Sequence, residues 1–318
     1  MTRILLIGQD GQVGQELLKT LPALGSVRGV GRQIIDLTQP EQIRQGIRDC
    51  QPQLIVNAAA YTAVDRAETE IAMANAVNAD APTVMAEEAQ RLGVPLIHIS
   101  TDYVFDGSKN TPYRELDETN PLSVYGQSKL AGELGIQQVH ASGPEFPYAI
   151  VRTAWVYGTS GKGNFVKTML RLGAEREEVR VVADQVGTPT WSTEIAKAMT
   201  HLARALLLPP EMPNGAEKPT LSGIYHFTNS GVTSWYDFAV AIFEEAQALG
   251  FPLKLQRVVP ITTAEYPTPA QRPAYSVLAT QKIQSLLPAP IPQWRQSLRL
   301  MLTELYSSTY ESTHSLRR

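Results

Sequence analysis

In the first half of the chain, short and nearly continuous apolar runs alternate with longer stretches whose apolar positions recur every three or four residues. The runs at 4–7, 54–57, 96–100 and 149–153 are too short for helices, so they read as strands buried on both faces. The stretches at 13–21, 40–49, 72–92 and 124–139 read as amphipathic helices, with Pro40 suited to a first helical turn and Gly93-Val94-Pro95 marking a helix end. This alternation predicts an α/β fold, a doubly wound parallel sheet flanked by helices. Beyond Trp155 the rhythm weakens. Residues 164–173 and 192–208 still look helical, and 179–183 reads as a late strand of the same sheet. A Pro- and Gly-rich segment at 209–223 opens a smaller, loop-rich region, and the polar tail 307–318 reads as a frayed terminus.

Composition narrows the class. A chain of 318 residues with 43% hydrophobic and 19% charged residues forms one large or two unequal globular domains. Its 28 Lys+Arg against 31 Asp+Glu leave a net charge of −3, with no basic excess to neutralise a run of phosphates, so nucleic acid is not an expected partner. The single cysteine, Cys50, forms no intramolecular disulfide or thiolate cluster, which points to a reducing compartment. Only four apolar residues separate Arg3 from Gly8, and no apolar run approaches the roughly 18 residues of a membrane span, so a cytoplasmic protein is expected. His98, His140, His201, His226 and His314 are scattered, and no metal site is expected from them.

The first strand runs into Gly8-Gln9-Asp10-Gly11-Gln12-Val13-Gly14 and then into a helix. Bare backbone at Gly8, Gly11 and Gly14 lets a pyrophosphate approach the turn that carries Gln12 and Val13, where free N–H groups and the helix dipole attract it. A Rossmann-type dinucleotide site follows, against the bland alternative of a tight turn with no ligand; the spacing is GxxGxxG rather than GxGxxG. The second strand ends in Gly31-Arg32 with no carboxylate for a ribose 2′-hydroxyl, so Arg32 selects a 2′-phosphate and NADPH is expected, with NADH as the alternative. Asp36 would accept from the adenine amino group while Leu37 packs on the ring. Ala59 and Ala60, followed by Tyr61 and Thr62, let the backbone pass close under the cofactor.

Tyr125-Gly126-Gln127-Ser128-Lys129 places a phenol and an ammonium one helical turn apart on one face. A phenol of ordinary pKa about 10 works poorly near neutrality; lowering it by roughly three units takes on the order of 4 kcal/mol, a reasonable demand on a desolvated cation. Thr101, at the carboxyl end of the strand between glycine turn and Tyr helix, would hydrogen-bond a substrate carbonyl or the Tyr125 hydroxyl.

Longer strings carry a resemblance: Val56-Asn57-Ala58-Ala59-Ala60-Tyr61-Thr62-Ala63-Val64-Asp65, Ser100-Thr101-Asp102-Tyr103-Val104-Phe105-Asp106-Gly107, Val124-Tyr125-Gly126-Gln127-Ser128-Lys129-Leu130-Ala131-Gly132-Glu133 and Asp184-Gln185-Val186-Gly187-Thr188-Pro189-Thr190. Over about 1–300 the chain resembles the dTDP-4-dehydrorhamnose reductase family of the extended short-chain dehydrogenase/reductase superfamily. The resemblance implies reduction of a 4-keto dTDP-sugar by NAD(P)H, with Tyr125 giving the proton, Lys129 holding the nicotinamide ribose and Thr101 bonding the oxygen. It also implies that Asp102 and Tyr103 line the sugar pocket, that Trp155 lies across from the sugar, and that Asn164 and Lys167 approach the diphosphate. A homodimer, in some relatives helped by Mg²⁺ between carboxylates, is implied in the same way. Tyr61 departs from the family pattern, standing where many relatives carry His. The expected division is a cofactor domain of 1–155 with about 179–208, and a smaller α/β sugar-nucleotide domain of about 156–178 with 209–306. Two rivals stay open. An NDP-sugar epimerase or dehydratase shares the glycine turn and Tyr-x-x-x-Lys, although Thr101-Asp102-Tyr103 supplies only one of the two carboxylates a dehydratase needs. A non-catalytic regulatory partner of methionine adenosyltransferase would share the fold without the chemistry.

Overall fold

In β1 (Thr2–Ile7), Ile4 and Leu6 face one side of a sheet and Leu5 and Ile7 the other, all four buried. Such two-sided burial demands helices on both faces. The computed structural model describes residues 1–208 and 221–311. β2 (Gly25–Val30), β3 (Leu54–Asn57), β4 (Leu96–Thr101), β5 (Tyr148–Thr153) and the strand Gly223–His226 join β1 in a six-stranded parallel sheet. Its order is Gly223–His226, β5, β4, β3, β1, β2. α1 (Gln12–Thr20) and the helix Ser192–Leu207 cover one face, where Leu17 meets Ile195, Met199 and Leu202. α2 (Pro40–Cys50) and the helices Ala81–Leu92 and Val124–Ser142 cover the other through Ile43, Ile47, Val84, Met85 and Ile136. The chain moves outward from β1 to β2 and then returns to β3 on the other side. The carboxyl ends of β1 and β3 therefore flank a switch point, where open α/β sheets bind ligands.

A smaller lobe packs the helices Phe165–Glu175, Trp235–Leu249 and Trp294–Tyr306 around Tyr157, Phe238, Trp191 and Trp294. Two expectations about its borders need correction. Residues 179–183 do not extend the main sheet: Glu178–Val182 pairs in parallel with Arg257–Ile261 in a separate sheet, and Val179 and Val181 face the small lobe's core. The sixth place in the main sheet goes instead to Gly223–His226, from the segment assigned to the sugar-nucleotide domain, with Ile224 beside Ile150. A strand's side-chain pattern specifies which faces are buried and leaves its partner to tertiary packing.

The expected helix 72–92 is broken. Ile71–Asn75 leads through a wide π-type turn at Ala76–Asp80 into Ala81–Leu92, where Pro82 at the start has no N–H to continue the ladder. The expected frayed tail begins as structure, since Ser307–Glu311 continues the last helix as one wide turn. Residues 312–318 and 209–220 lie outside the described residues, and with them most of the Pro/Gly-rich segment. Among the described residues no helix is long and apolar enough to cross a membrane.

Candidate active site

A cleft of about 630 Å³ opens at the carboxyl ends of the sheet strands. Its far end is the glycine turn. Gly8 has a left-handed φ of 90°, and a β-carbon there would sit 2.5 Å from the Ala59 nitrogen; one on Gly14 would sit 2.0 Å from the Gly8 oxygen. Only hydrogen fits at either position, so turn, helix start and Ala58–Ala60 loop come together as a bare cradle. Gly11 caps α1 without a side chain, which leaves the first N–H groups of the helix, from Gln12 and Val13, at the cleft. These are the features a dinucleotide pyrophosphate needs.

Arg32 lies where this cleft meets a second cavity of about 340 Å³ that also holds Asp36, Leu37, Ala60 and Tyr61. Thr62 lines the first cleft. Asp36 has one oxygen committed, because Oδ1 accepts from both the N–H and the hydroxyl of Thr38, at 3.0 and 2.9 Å. Those bonds hold its carboxyl below the usual range. The Tyr61 hydroxyl donates to Glu70 at 2.6 Å. Asp10 was missed by sequence reasoning. It lines the cleft, and its carboxylate lies so close to Gly31 that a β-carbon there would fall 1.9 Å from Oδ2.

At the near end, β4 delivers Thr101. Its hydroxyl donates to Asp102 Oδ1 at 3.0 Å and accepts from the Tyr103 N–H at 3.2 Å. Ser123 caps the helix Val124–Ser142, accepting from the Gly126 N–H at 3.2 Å. Gly126 presses on the turn after Thr101: a β-carbon on it would lie 2.3 Å from the Tyr103 oxygen. That close approach brings the Tyr125 phenol beside the Thr101 hydroxyl, and Tyr103 meets the Tyr125 ring edge-on at 5.6 Å. One turn further, Lys129 is buried, with Nζ donating to the Ile99 carbonyl at 2.6 Å.

The electrostatics differ from the sequence expectation. Burial pushes the Tyr125 phenol up to about 12, only partly offset by Thr101 and reinforced by the charge of Asp102. Burial pushes Lys129 down to about 8, with Glu133 opposing. The cation does not lower the phenol because its side chain turns to Ile99, so desolvation outweighs attraction. Asp102, beside Thr101 and Ser276, is raised to about 6 by desolvation, against the Thr101 hydroxyl on Oδ1, while its Oδ2 is buried without a partner.

Trp155 lines the cleft with a left-handed φ of 48° and stacks on Trp235 at 3.5 Å. Asn164 and Lys167 do not reach the cleft. Asn164 caps the helix Phe165–Glu175 and donates to Gln12 Oε1 and the Gly158 carbonyl, both at 2.8 Å. Lys167 donates to the carbonyls of Thr159 and Gly161, at 2.6 and 3.1 Å. Both brace the loop whose Gly161 and Gly163 border the cleft. A third cavity, of about 380 Å³, was not foreseen: Phe165, Met169, Val181, Trp235 and Tyr266 line it, with Arg180 and Arg272. Arg272 also pairs with Asp65 at 2.8 Å, joining small lobe to large. Its walls come from distant segments, and no local motif announces it. Among the described residues no three His, Cys, Asp or Glu side chains gather as metal ligands, so Mg²⁺ has no support here.

The model of the RmlD substrate binding domain family matches residues 1–307. A dTDP-4-dehydrorhamnose reductase from Burkholderia thailandensis is 44% identical over 307 residues, covering 96% of this chain and 99% of its own. One from Escherichia coli is 43% identical over 311 residues with the same coverage. The crystal structure of a dTDP-4-dehydrorhamnose reductase from Bacillus anthracis in complex with NADP superimposes with a TM-score of 0.84 at 34% identity, covering 95% of this chain and 99% of that one. With the bare-backbone cradle at one end of the cleft and Thr101, Tyr125 and Lys129 at the other, the chain belongs to the dTDP-4-dehydrorhamnose reductase family.

Proposed function

We propose that this protein reduces the 4-keto group of dTDP-4-dehydro-L-rhamnose to give dTDP-L-rhamnose, drawing its hydride from NADPH. The observation that carries this reading is the single cleft that joins the cradle of Gly8, Gly11 and Gly14 to Thr101, Tyr125 and Lys129. The residues fit the cofactor. Gly8 and Gly14 let the turn pack against Ala59 and against itself, Gly11 leaves an open side for a pyrophosphate, Arg32 offers a guanidinium for a 2′-phosphate, and Leu37 offers an apolar surface for an adenine. When bound, the reduced nicotinamide supplies the hydride that reaches the keto carbon.

The chain's own groups handle charge and the proton. As negative charge grows on the keto oxygen, the Thr101 hydroxyl swings its one proton from Asp102 Oδ1 to that oxygen and Tyr125 Oη transfers its proton there. A phenol held near 12 is protonated throughout the physiological range, and an alkoxide is a stronger base than a phenolate, so this transfer runs downhill. Lys129, one turn away, turns its buried ammonium from the phenol to the Ile99 carbonyl and suits the nicotinamide ribose hydroxyls at this end of the cleft. Asp102 and Tyr103 border the same end of the cleft and suit the sugar hydroxyls. The third cavity, aromatic with two guanidiniums, suits a base and diphosphate, a part in which Arg180 and Arg272 replace Asn164 and Lys167.

The reading is tested by incubating purified protein with the dTDP-4-keto sugar and following reduced-nicotinamide absorbance. Stoichiometric oxidation of NADPH is expected, whereas an epimerase or a regulatory subunit would give none. Absence of oxidation with both NADPH and NADH would sink it. In the same assay Arg32→Ala should raise KM for NADPH more than for NADH; equal loss removes Arg32 as the selector.

A further inference from the structure

Behind Lys129 lies a buried hydrogen-bonded line that the mechanism does not use. Asn57, at the end of β3, and His98, in β4, are both shut off from solvent. Asn57 Nδ2 lies 3.0 Å from His98 Nδ1, and His98 Nε2 lies 3.1 Å from Lys129 Nζ. The partners decide where the protons sit. The backbone N–H of Ala59 donates to Asn57 Oδ1 at 3.1 Å, which fixes that end of the amide as the oxygen. The other end is then the NH₂ group, and it donates to Nδ1. A neutral imidazole whose Nδ1 accepts carries its proton on Nε2, and burial beside Lys129 does hold His98 neutral. His98 therefore presents an N–H to Lys129.

We propose that Asn57 and His98 are positioning residues for Lys129: they lock an imidazole N–H against its amine, so that the ammonium gains nothing from His98 and turns its free protons to the cleft. An ammonium has three donors and no lone pair, so it cannot accept from Nε2–H; of its protons, one goes to the Ile99 carbonyl and two are left for the cofactor side. An uncharged amine, by contrast, accepts from Nε2–H and is parked there. The device opposes protonation of Lys129 in the same sense as burial does. One further group acts on this lysine from its own helix, Glu133 one turn on, which is itself paired with Arg152 of β5. Asp102, from the turn after β4, acts on Tyr125. The line ends on the Ala59 N–H, in the loop under the cofactor cradle, so it has no outlet for a proton. It couples the positions of two cofactor contacts.

This inference rests on the role given to Lys129 above, but its test needs neither substrate nor turnover. In cofactor-free protein labelled with ¹⁵N-histidine, with His98→Gln used to assign the signal, His98 should show a protonated Nε2 and a bare Nδ1. An Nδ1–H tautomer or an imidazolium overturns the proposal. The Lys129 titration, followed by the ¹³C shift of its Cε, supplies the second arm. In His98→Gln the amide oxygen can face the ammonium, and in Asn57→Asp the new carboxylate draws the imidazole proton to Nδ1 and frees Nε2 to accept. Both variants should move the Lys129 midpoint upward by about one unit, a tenfold gain in proton affinity. An unchanged midpoint in His98→Gln overturns the proposal even if Asn57→Asp does not fold. Loss of reductase activity in the assay above would leave these spectra unaffected, so the two readings fail separately.

Discussion

Tyr125 and Lys129 stand one turn apart, and burial moves them in opposite senses, the phenol to about 12 and the amine to about 8. Desolvation always favours the neutral form, which is the protonated phenol but the deprotonated amine. The pH dependence follows with a definite sign. Lys129 carries its charge below about 8 and loses it as pH rises through that value, so kcat/KM should fall on the alkaline side. A profile that stays flat well above that pH would show that the ammonium is not needed. Tyr125→Phe should lower kcat by about 10²-fold or more, the usual scale for a lost general acid, with the NADPH dissociation constant little changed. Lys129→Met should weaken both turnover and NADPH binding. Near-normal turnover in Tyr125→Phe, measured by nicotinamide absorbance, would remove it as the proton donor. The placement of these two side chains one turn apart was legible in the sequence because Tyr-x-x-x-Lys within a helix has only one geometry. The sense of the phenol's shift was not legible, since it depends on how completely the fold excludes water.

Among the elements, the helix Val124–Ser142 carries Tyr125 and Lys129, and its seating is set by contacts its own sequence only hints at. Gly126 lets it press on the Tyr103 backbone. Glu133, two turns beyond Tyr125, meets Arg152 of β5 at 2.6 Å, both fully buried. Breaking such a pair leaves an uncompensated charge in the interior, so Arg152→Met should destabilise the fold by about 3–5 kcal/mol. Thermal or denaturant unfolding would register it, and adding Glu133→Leu should restore much of the loss. A single variant as stable as the parent would show the pair to be dispensable. In sequence, nothing joins Arg152, a cation inside a run read as a buried strand, to Glu133, one of several polar positions on a helix. Only the register of β5 and the docking of the helix bring them together.

At the scale of the whole molecule, the cofactor cradle belongs to the main sheet, while the third cavity is formed largely by the small lobe and closed by the Asp65–Arg272 pair. Arg272→Gln should therefore raise KM for the dTDP-sugar about tenfold, roughly 1.4 kcal/mol, while the NADPH dissociation constant stays within about twofold. An equal effect on both ligands would place Arg272 outside the sugar-nucleotide site. By itself the sequence determined the parallel sheet, the glycine cradle and the Thr101, Tyr125 and Lys129 set, because each rests on short-range periodicity or on residues whose spacing within one element dictates their geometry. Tertiary structure alone decided that Gly223–His226 rather than 179–183 completes the main sheet, that Asn164 and Lys167 brace a loop instead of reaching the cleft, and that Asn57, His98 and Lys129 form one line. Those outcomes depend on which strand edge is free, which carbonyls lie within a side chain's reach and which groups are sealed from water, and none of these is set by neighbours along the chain.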